Sequence, residues 1–169
     1  VSQINRRLEQ LKTAGDTYPD LQHFLVESFI PALKKITVWS QNEFLTRGMN
    51  FDVKISQKQM TLSPVDIGFH NCLLIKNKLY FLDFEFFGRD DPVKLVADTL
   101  QHPGSMLEPQ DTKQLEYELH SIFNDDQQFL IRIKCLYPLF GLKWCMIMLN
   151  SFLHDYVLKD IEKNKTQKD

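Results

Sequence analysis

Two short apolar runs, Cys72 to Ile75 and Leu79 to Phe84, stand on either side of the polar triplet Lys76-Asn77-Lys78. Strands joined by so tight a turn make a β-hairpin. No other pair of runs in the 169 residues does this, and the flanking sequence is patterned for helices. The expected fold class is mainly α with a small central β-hairpin, an α+β plan without internal repeats. Apolar residues make up 43% and charged residues 25%, which suits one soluble globular domain with a substantial core. That balance excludes a disordered, collagenous or disulfide-stapled chain. Thirteen phenylalanines against six glycines point to a dense aromatic core.

The helical signals run on both sides of the hairpin. Ile4, Leu8 and Leu11 recur at helical spacing, and Gly15 ends the run. From Pro19, the residues Leu21, Phe24, Leu25 and Phe29 continue the pattern. Pro31 then either kinks that helix or opens a second one, which carries Leu33, Ile36, Val38, Trp39 and Phe44 as far as Gly48. Phe51 to Met60 alternates in part and reads as a weak strand. Asp91 caps a helix from Pro92 to Leu100, and Asp111 or Thr112 caps another through Phe123. After a polar break at Asn124 to Gln127, a last helix runs from about Gln128 to Leu158, bent or broken near Pro138 and Gly141. The domain is expected over residues 1–158, with 159–169 a charged, frayed tail.

Charge and cysteine use narrow the function classes. Net charge is −2, so no electrostatic footprint for nucleic acid stands out. Cys72, Cys135 and Cys145 cannot all pair and lack zinc-ligand spacing. They read as reduced core thiols, and the expected localisation is cytoplasmic. Leu136 to Leu153 is long and apolar, but Pro138, Gly141, Lys143 and Asn150 interrupt it. A buried helix of a soluble domain is the expectation, with no membrane partner. The chain begins at Val1 without a signal pattern, which suggests a piece of something longer.

The chemistry gathers around the hairpin. Asp66 lies in the loop before it, Asn71 enters the first strand, and Asp83 leaves the second strand at the same end. The carboxamide and the carboxylate should converge there. Asn71 and Asp83 then offer hard oxygen ligands, suited to Mg²⁺ and not to zinc. Magnesium is usually completed by substrate phosphates, so the site implies a nucleotide. Asp66 is placed to take a proton from an attacking hydroxyl.

This Asp-x4-Asn segment, followed by the hairpin and Asp83-Phe84-Glu85, resembles the catalytic and metal loops of the protein-kinase-like superfamily. It is most similar to the aminoglycoside phosphotransferase and choline kinase branch. Gly88-Arg89-Asp90-Asp91-Pro92, with Asp98 beyond it, resembles the Gly-Asp-Pro and following aspartate of that branch. The match covers about Leu62 to Gly104. By it, Asp66 is the catalytic aspartate, Asn71 and Asp83 are the metal ligands, and Asp98 braces the Asp66 loop. The resemblance implies a kinase-like C-terminal lobe from an enzyme that transfers phosphate from ATP, with Mg²⁺, to a hydroxyl of a sugar, amino alcohol or aminoglycoside. It also implies a nucleotide-binding N-terminal lobe of about 80 to 100 further residues, since no Gly-rich phosphate loop occurs here. The chain by itself is then expected to be a poor kinase. Pro64 stands where many relatives have a histidine that braces the loop.

Other assignments stay open on the sequence. Glu85 supports the metal, orients substrate or forms a salt bridge. Arg89 and Asp90 face the acceptor substrate or are solvated charges. His70 is expected to point away from Asn71 as a surface histidine, and His102 to serve only the turn at Pro103-Gly104. Phe84, Phe86 and Phe87 are expected to pack as core. The rival to an enzyme is a non-catalytic, kinase-derived interaction or regulatory domain.

Overall fold

The structure is a computed structural model that describes residues 1–64 and 66–153. It is mainly helical with two small two-stranded sheets. The chain divides into two compact units, Val1–Val38 with Leu142–Asp169, and Trp39–Gly141. The expected end of the last helix near Leu158 and the charged tail lie outside the described residues.

In the first unit, α1 (Ser2–Gly15) buries Ile4, Leu8 and Leu11, as the spacing predicts, and adds Ala14. Next, α2 (Pro19–Phe24) passes through a π-helical segment, Leu25–Phe29, into α3 (Ile30–Thr46) without a break. The segment sits just before Pro31, whose ring would press on the carbonyl four residues back and whose nitrogen donates nothing. A wider turn relieves that conflict, and Ile30 N–H reaches back five residues to the Leu25 carbonyl. It also keeps Leu21, Leu25, Phe29 and Leu33, four residues apart each time, on one buried stripe. Pro31 therefore stands as the second residue of α3, the helix that the π-helical turn joins to α2 with no non-helical residue between.

In the second unit, α3 ends as the sequence predicts. Gly48 adopts φ 66°, Gly48 N–H donates to Leu45 O, and Met49 N–H to Phe44 O. This pair of bonds satisfies carbonyls that the helix end would orphan. Phe51 to Met60 is not a strand: it forms turns and a short 3₁₀ segment, Gln57–Gln59. The strand comes one residue later, as β1 (Thr61–Ser63). Between it and its partner lies the hairpin, β2 (Cys72–Ile75) and β3 (Lys78–Phe81). The partner is β4 (Gly88–Asp90), antiparallel, with Ser63 opposite Gly88. That short ladder closes the base of the whole segment from Pro64 to Phe87.

The hairpin turn is only Lys76-Asn77, with φ 47° and 60°, the left-handed pair that a two-residue turn of this twist requires. Asparagine tolerates that region and lysine does not, at a cost of about 1 kcal/mol. Substituting Lys76→Asn together with Asn77→Gly should slow exchange of the hairpin amides about fivefold or more, read by hydrogen exchange. Unchanged protection would mean that the turn does not limit the hairpin.

Three helices make the core of this unit: α4 (Pro92–Gln101), α5 (Pro109–Ile122) and α6 (Phe129–Met148). Val93, Val96, Ala97, Phe129 and Ile133 are buried at its centre. Asp91 caps α4 by accepting from Val93 N–H at 2.8 Å, as predicted. Neither Asp111 nor Thr112 caps α5; Pro109 opens it, and Glu108 is the capping position without a side-chain bond. Pro138 lies inside α6, and the helix continues past it and past Gly141. The Ser40 hydroxyl donates to the Cys135 carbonyl at 2.7 Å, three residues before the proline.

Two expectations of burial fail. The stretch Phe129–Leu153 is long and apolar enough to cross a membrane, but only 17% of its most apolar window is buried. Most of the rest is half-buried. Nor is there a dense phenylalanine core: Phe29, Phe44 and Phe129 are buried, while Phe81, Phe84, Phe86 and Phe87 are exposed. Phe84 and Phe87 pack edge-on against each other at 5.7 Å.

Candidate functional site

Asp66 follows β1 by three residues and turns back at once, its N–H donating to Pro64 O at 2.9 Å. A 3₁₀ turn, Phe69–Asn71, then delivers Asn71 to the start of β2. The tight turn brings the Asn71 carboxamide onto Asp66. Its Nδ2 donates to Asp66 O at 3.2 Å and to Asp66 Oδ2 at 3.3 Å. With the amide nitrogen so engaged, Asn71 Oδ1 has no hydrogen-bond donor among the described residues.

Asp83 reaches the same end of the hairpin by pairing of the backbone. Cys72 stands opposite Phe81, and Leu82 N–H donates to Asn71 O at 2.8 Å, so Asp83 is the next residue out. It holds φ 58°, a left-handed conformation that no hairpin turn explains. Aspartate adopts it more readily than most residues, yet such a backbone persists only where its surroundings impose it. The Asp83 and Glu85 carboxylates are exposed and have no hydrogen bond or ion pair among the described residues. Asn71 Oδ1 and the Asp83 carboxylate are thus both without a donor among the described residues, with Asp83 one residue beyond the Leu82 that bonds to Asn71 O.

The other predicted residues have partners of their own. Asp98 is 3% exposed and forms an ion pair with Lys94 Nζ at 3.2 Å, and the same ammonium lies 3.1 Å from Asp90. Burial works against the Lys94 charge, but Asp98 and Asp90 outweigh it and hold its pKa above the ordinary 10.5. The stability from this cluster is complete below the unfolded value and is lost as pH rises through the higher folded one. Asp90 also accepts from Asp91 N–H at 2.8 Å. Arg89 donates to Gln57 O at 3.3 Å from an exposed position. Burial pushes the Cys72 thiol, beside Asn71, above its usual range.

Two histidines lie against Asp66: His102, beyond the turn role expected of it, and His70, which stays exposed as expected. His102, at the end of α4, is buried, and its Nε2 lies 2.8 Å from Asp66 Oδ1. His70 does not point away: the 3₁₀ turn folds it back, with Nε2 3.7 Å from Asp66 Oδ2. The two rings stack with centroids 5.0 Å apart. Glycines make the room. A methyl at Gly68 would collide with both rings, and one at Gly104 would stand 2.8 Å from His70 Nδ1. Gly68→Ala should therefore displace the imidazole pair and destabilise the chain by about 1 to 3 kcal/mol, seen as a lower denaturation midpoint. An unchanged midpoint with unchanged histidine resonances would show that the rings have slack.

Asp66, His70 and His102 place an oxygen and two ring nitrogens within 4.8 Å of one another, which by composition alone would suit a transition metal. The bonding of His102 opposes that reading. Gly104 N–H donates to His102 Nδ1 at 2.9 Å, so Nδ1 presents its lone pair and neutral His102 carries its proton on Nε2. A metal on Nε2 would force that proton to Nδ1, directly against the Gly104 N–H. No protein-family model, no curated protein and no solved structure matches the chain.

Proposed function

We propose that this chain carries the metal and base residues of an ATP- and Mg²⁺-dependent phosphotransferase in a protein-kinase-like C-terminal lobe. The acceptor is a hydroxyl of a small molecule such as a sugar, an amino alcohol or an aminoglycoside. One observation supports the reading above the others: Asn71 gives its amide nitrogen to Asp66 and keeps its oxygen free, and its backbone is bonded to Leu82, the residue before the exposed Asp83. A loop built only to satisfy itself would have no need of two unpartnered hard oxygen groups, one of them on a left-handed aspartate.

The chemistry follows from positions. Asn71 and Asp83 would hold Mg²⁺, which supplies charge neutralisation across the nucleotide phosphates. Asp66 orients the acceptor hydroxyl and takes its proton as the new O–P bond forms and the bond to the leaving phosphate oxygen breaks. Most of the rate enhancement would come from positioning. Within these residues there is no Gly-rich loop to hold the phosphates from the other side, so the 169-residue chain alone is expected to phosphorylate poorly.

The test is calorimetry of Mg·ATP with the longest natural chain containing this segment, beside its Asp83→Asn variant. Binding by the first and not by the second supports the reading. Absence of binding by both overturns it in favour of an interaction domain. One feature favours that second reading: both faces of the hairpin are exposed, with Leu74 at 71% and Leu73, Ile75, Leu79 and Tyr80 near half. Two strands without cover are marginal in water, so this apolar ribbon is built to be covered.

A further inference from the structure

We infer that His102, just past the end of α4, is the positioning residue for Asp66, holding its carboxylate through Nε2. The inference rests on the reading of Asp66 as the proton acceptor.

The argument begins with a backbone amide. An N–H is always a donor, so Gly104 N–H at 2.9 Å obliges His102 Nδ1 to accept. The neutral ring then has a single N–H, on Nε2, and it donates to Asp66 Oδ1 at 2.8 Å. The backbone thereby fixes the direction of the bond. The ring has little freedom to leave it. Its side chain is 7% exposed, the His70 ring covers one face, and Gly68 and Gly104 approach too closely for any larger side chain.

Asp66 itself is 42% exposed in its side chain, and a short carboxylate at the surface of a loop would otherwise rotate. A donor on Oδ1 holds it in one rotamer. Oδ2, with only the long Asn71 contact at 3.3 Å and His70 at 3.7 Å, is then the oxygen that faces an acceptor hydroxyl. A carboxylate that accepts a proton must hold its oxygen within hydrogen-bond reach, so fixing the rotamer bears on turnover more than on nucleotide binding.

Two measurements on the longest natural chain test this. The first is a long-range ¹H–¹⁵N correlation spectrum at mildly alkaline pH. His102 should appear protonated on Nε2 and not on Nδ1, with an Nε2 proton signal that moves or vanishes in Asp66→Ala. The second compares His102→Ala with His102→Gln in phosphotransfer. The alanine variant should lose about 10- to 100-fold in kcat at unchanged KM for Mg·ATP, and glutamine, which keeps an N–H donor, should restore most of it. An Nδ1-protonated His102, or an Nε2 signal indifferent to Asp66→Ala, overturns the inference at any level of activity. So does an alanine variant with unaltered kcat. If the wild-type chain binds no Mg·ATP, the phosphotransferase reading fails on its own and the spectrum still decides the His102–Asp66 bond. Should His102→Ala not fold, the spectrum of the wild-type chain decides the tautomer.

Discussion

Replacing Arg132 with alanine is expected to lower the melting temperature by about 10 °C. Arg132 is 4% exposed on α6. One nitrogen of its guanidinium grips both oxygens of Asp91 at 2.7 and 2.6 Å, and the other meets Asp126 at 2.6 Å. Asp91 simultaneously caps α4 through Val93 N–H. One cation therefore ties the start of α4 and the turn before α6 to α6 itself. Removing it leaves two partly buried carboxylates facing each other without compensation, which costs about 3 to 5 kcal/mol. Arg132→Lys keeps the charge but cannot span both carboxylates, so it should recover less than half of the loss. Thermal unfolding followed by circular dichroism reads all of these. A drop of under 2 °C in the alanine variant would mean that the clamp only breaks even against its desolvation, and that the Val93–Phe129 core holds these helices unaided.

What was legible in the sequence had a local cause. Asp91-Pro92 announced α4 because a cap and a fixed φ act within one turn. Gly48 marked the end of α3 for the same reason. The hairpin was visible in its apolar runs, although the turn took two residues and not three, leaving Lys78 in β3 and ending that strand at Phe81. The pairing of β1 with β4 had no such signal. Its strands are three residues long, too short for alternation to register, and they meet across the whole hairpin segment. The π segment was hidden because Pro31 shows a conflict in the helix but not how the backbone resolves it. Phenylalanine count failed as a guide to the core because composition says nothing about which rings a small helical unit can cover.

The site divides along the same line. The spacing of Asp66 and Asn71 sufficed to bring the two together, since five residues with a 3₁₀ turn close that distance. The same turn could have placed His70 near Asp66, four residues back, had it been read as a turn and not as extended chain. His102 could not have been found this way. It meets Asp66 across 36 residues, and the Pro103-Gly104 that follows it gives only the local reason for a turn. The backbone N–H that makes His102 a donor toward Asp66 comes from that very turn, so a residue read as local furniture owes its reach to the feature that disguised it.

Asp66→Asn is expected to reduce phosphotransfer about 10²- to 10⁴-fold while Mg·ATP still binds. The carboxamide has nearly the shape of the carboxylate, and its oxygen can still accept from His102 Nε2–H, so the loop keeps its main tie. Asn71 Oδ1 and the Asp83 carboxylate are untouched, and they are the groups proposed to hold the metal. What is lost is the capacity to take a proton, which no neighbouring group replaces with equal geometry: His70 Nε2 stands 3.7 Å from the carboxylate and is stacked on His102. The loss should fall on kcat and not on KM for the nucleotide, because the proton moves only in the transition state. Steady-state kinetics with Mg·ATP and a panel of hydroxyl acceptors, together with calorimetry of the same variant, separates the two. A variant that binds Mg·ATP and turns over at the wild-type rate would reduce Asp66 to a turn residue that organises Asn71. A variant that no longer binds would instead place Asp66 in the metal site, beside Asn71 and Asp83, and leave the acceptor without an identified base.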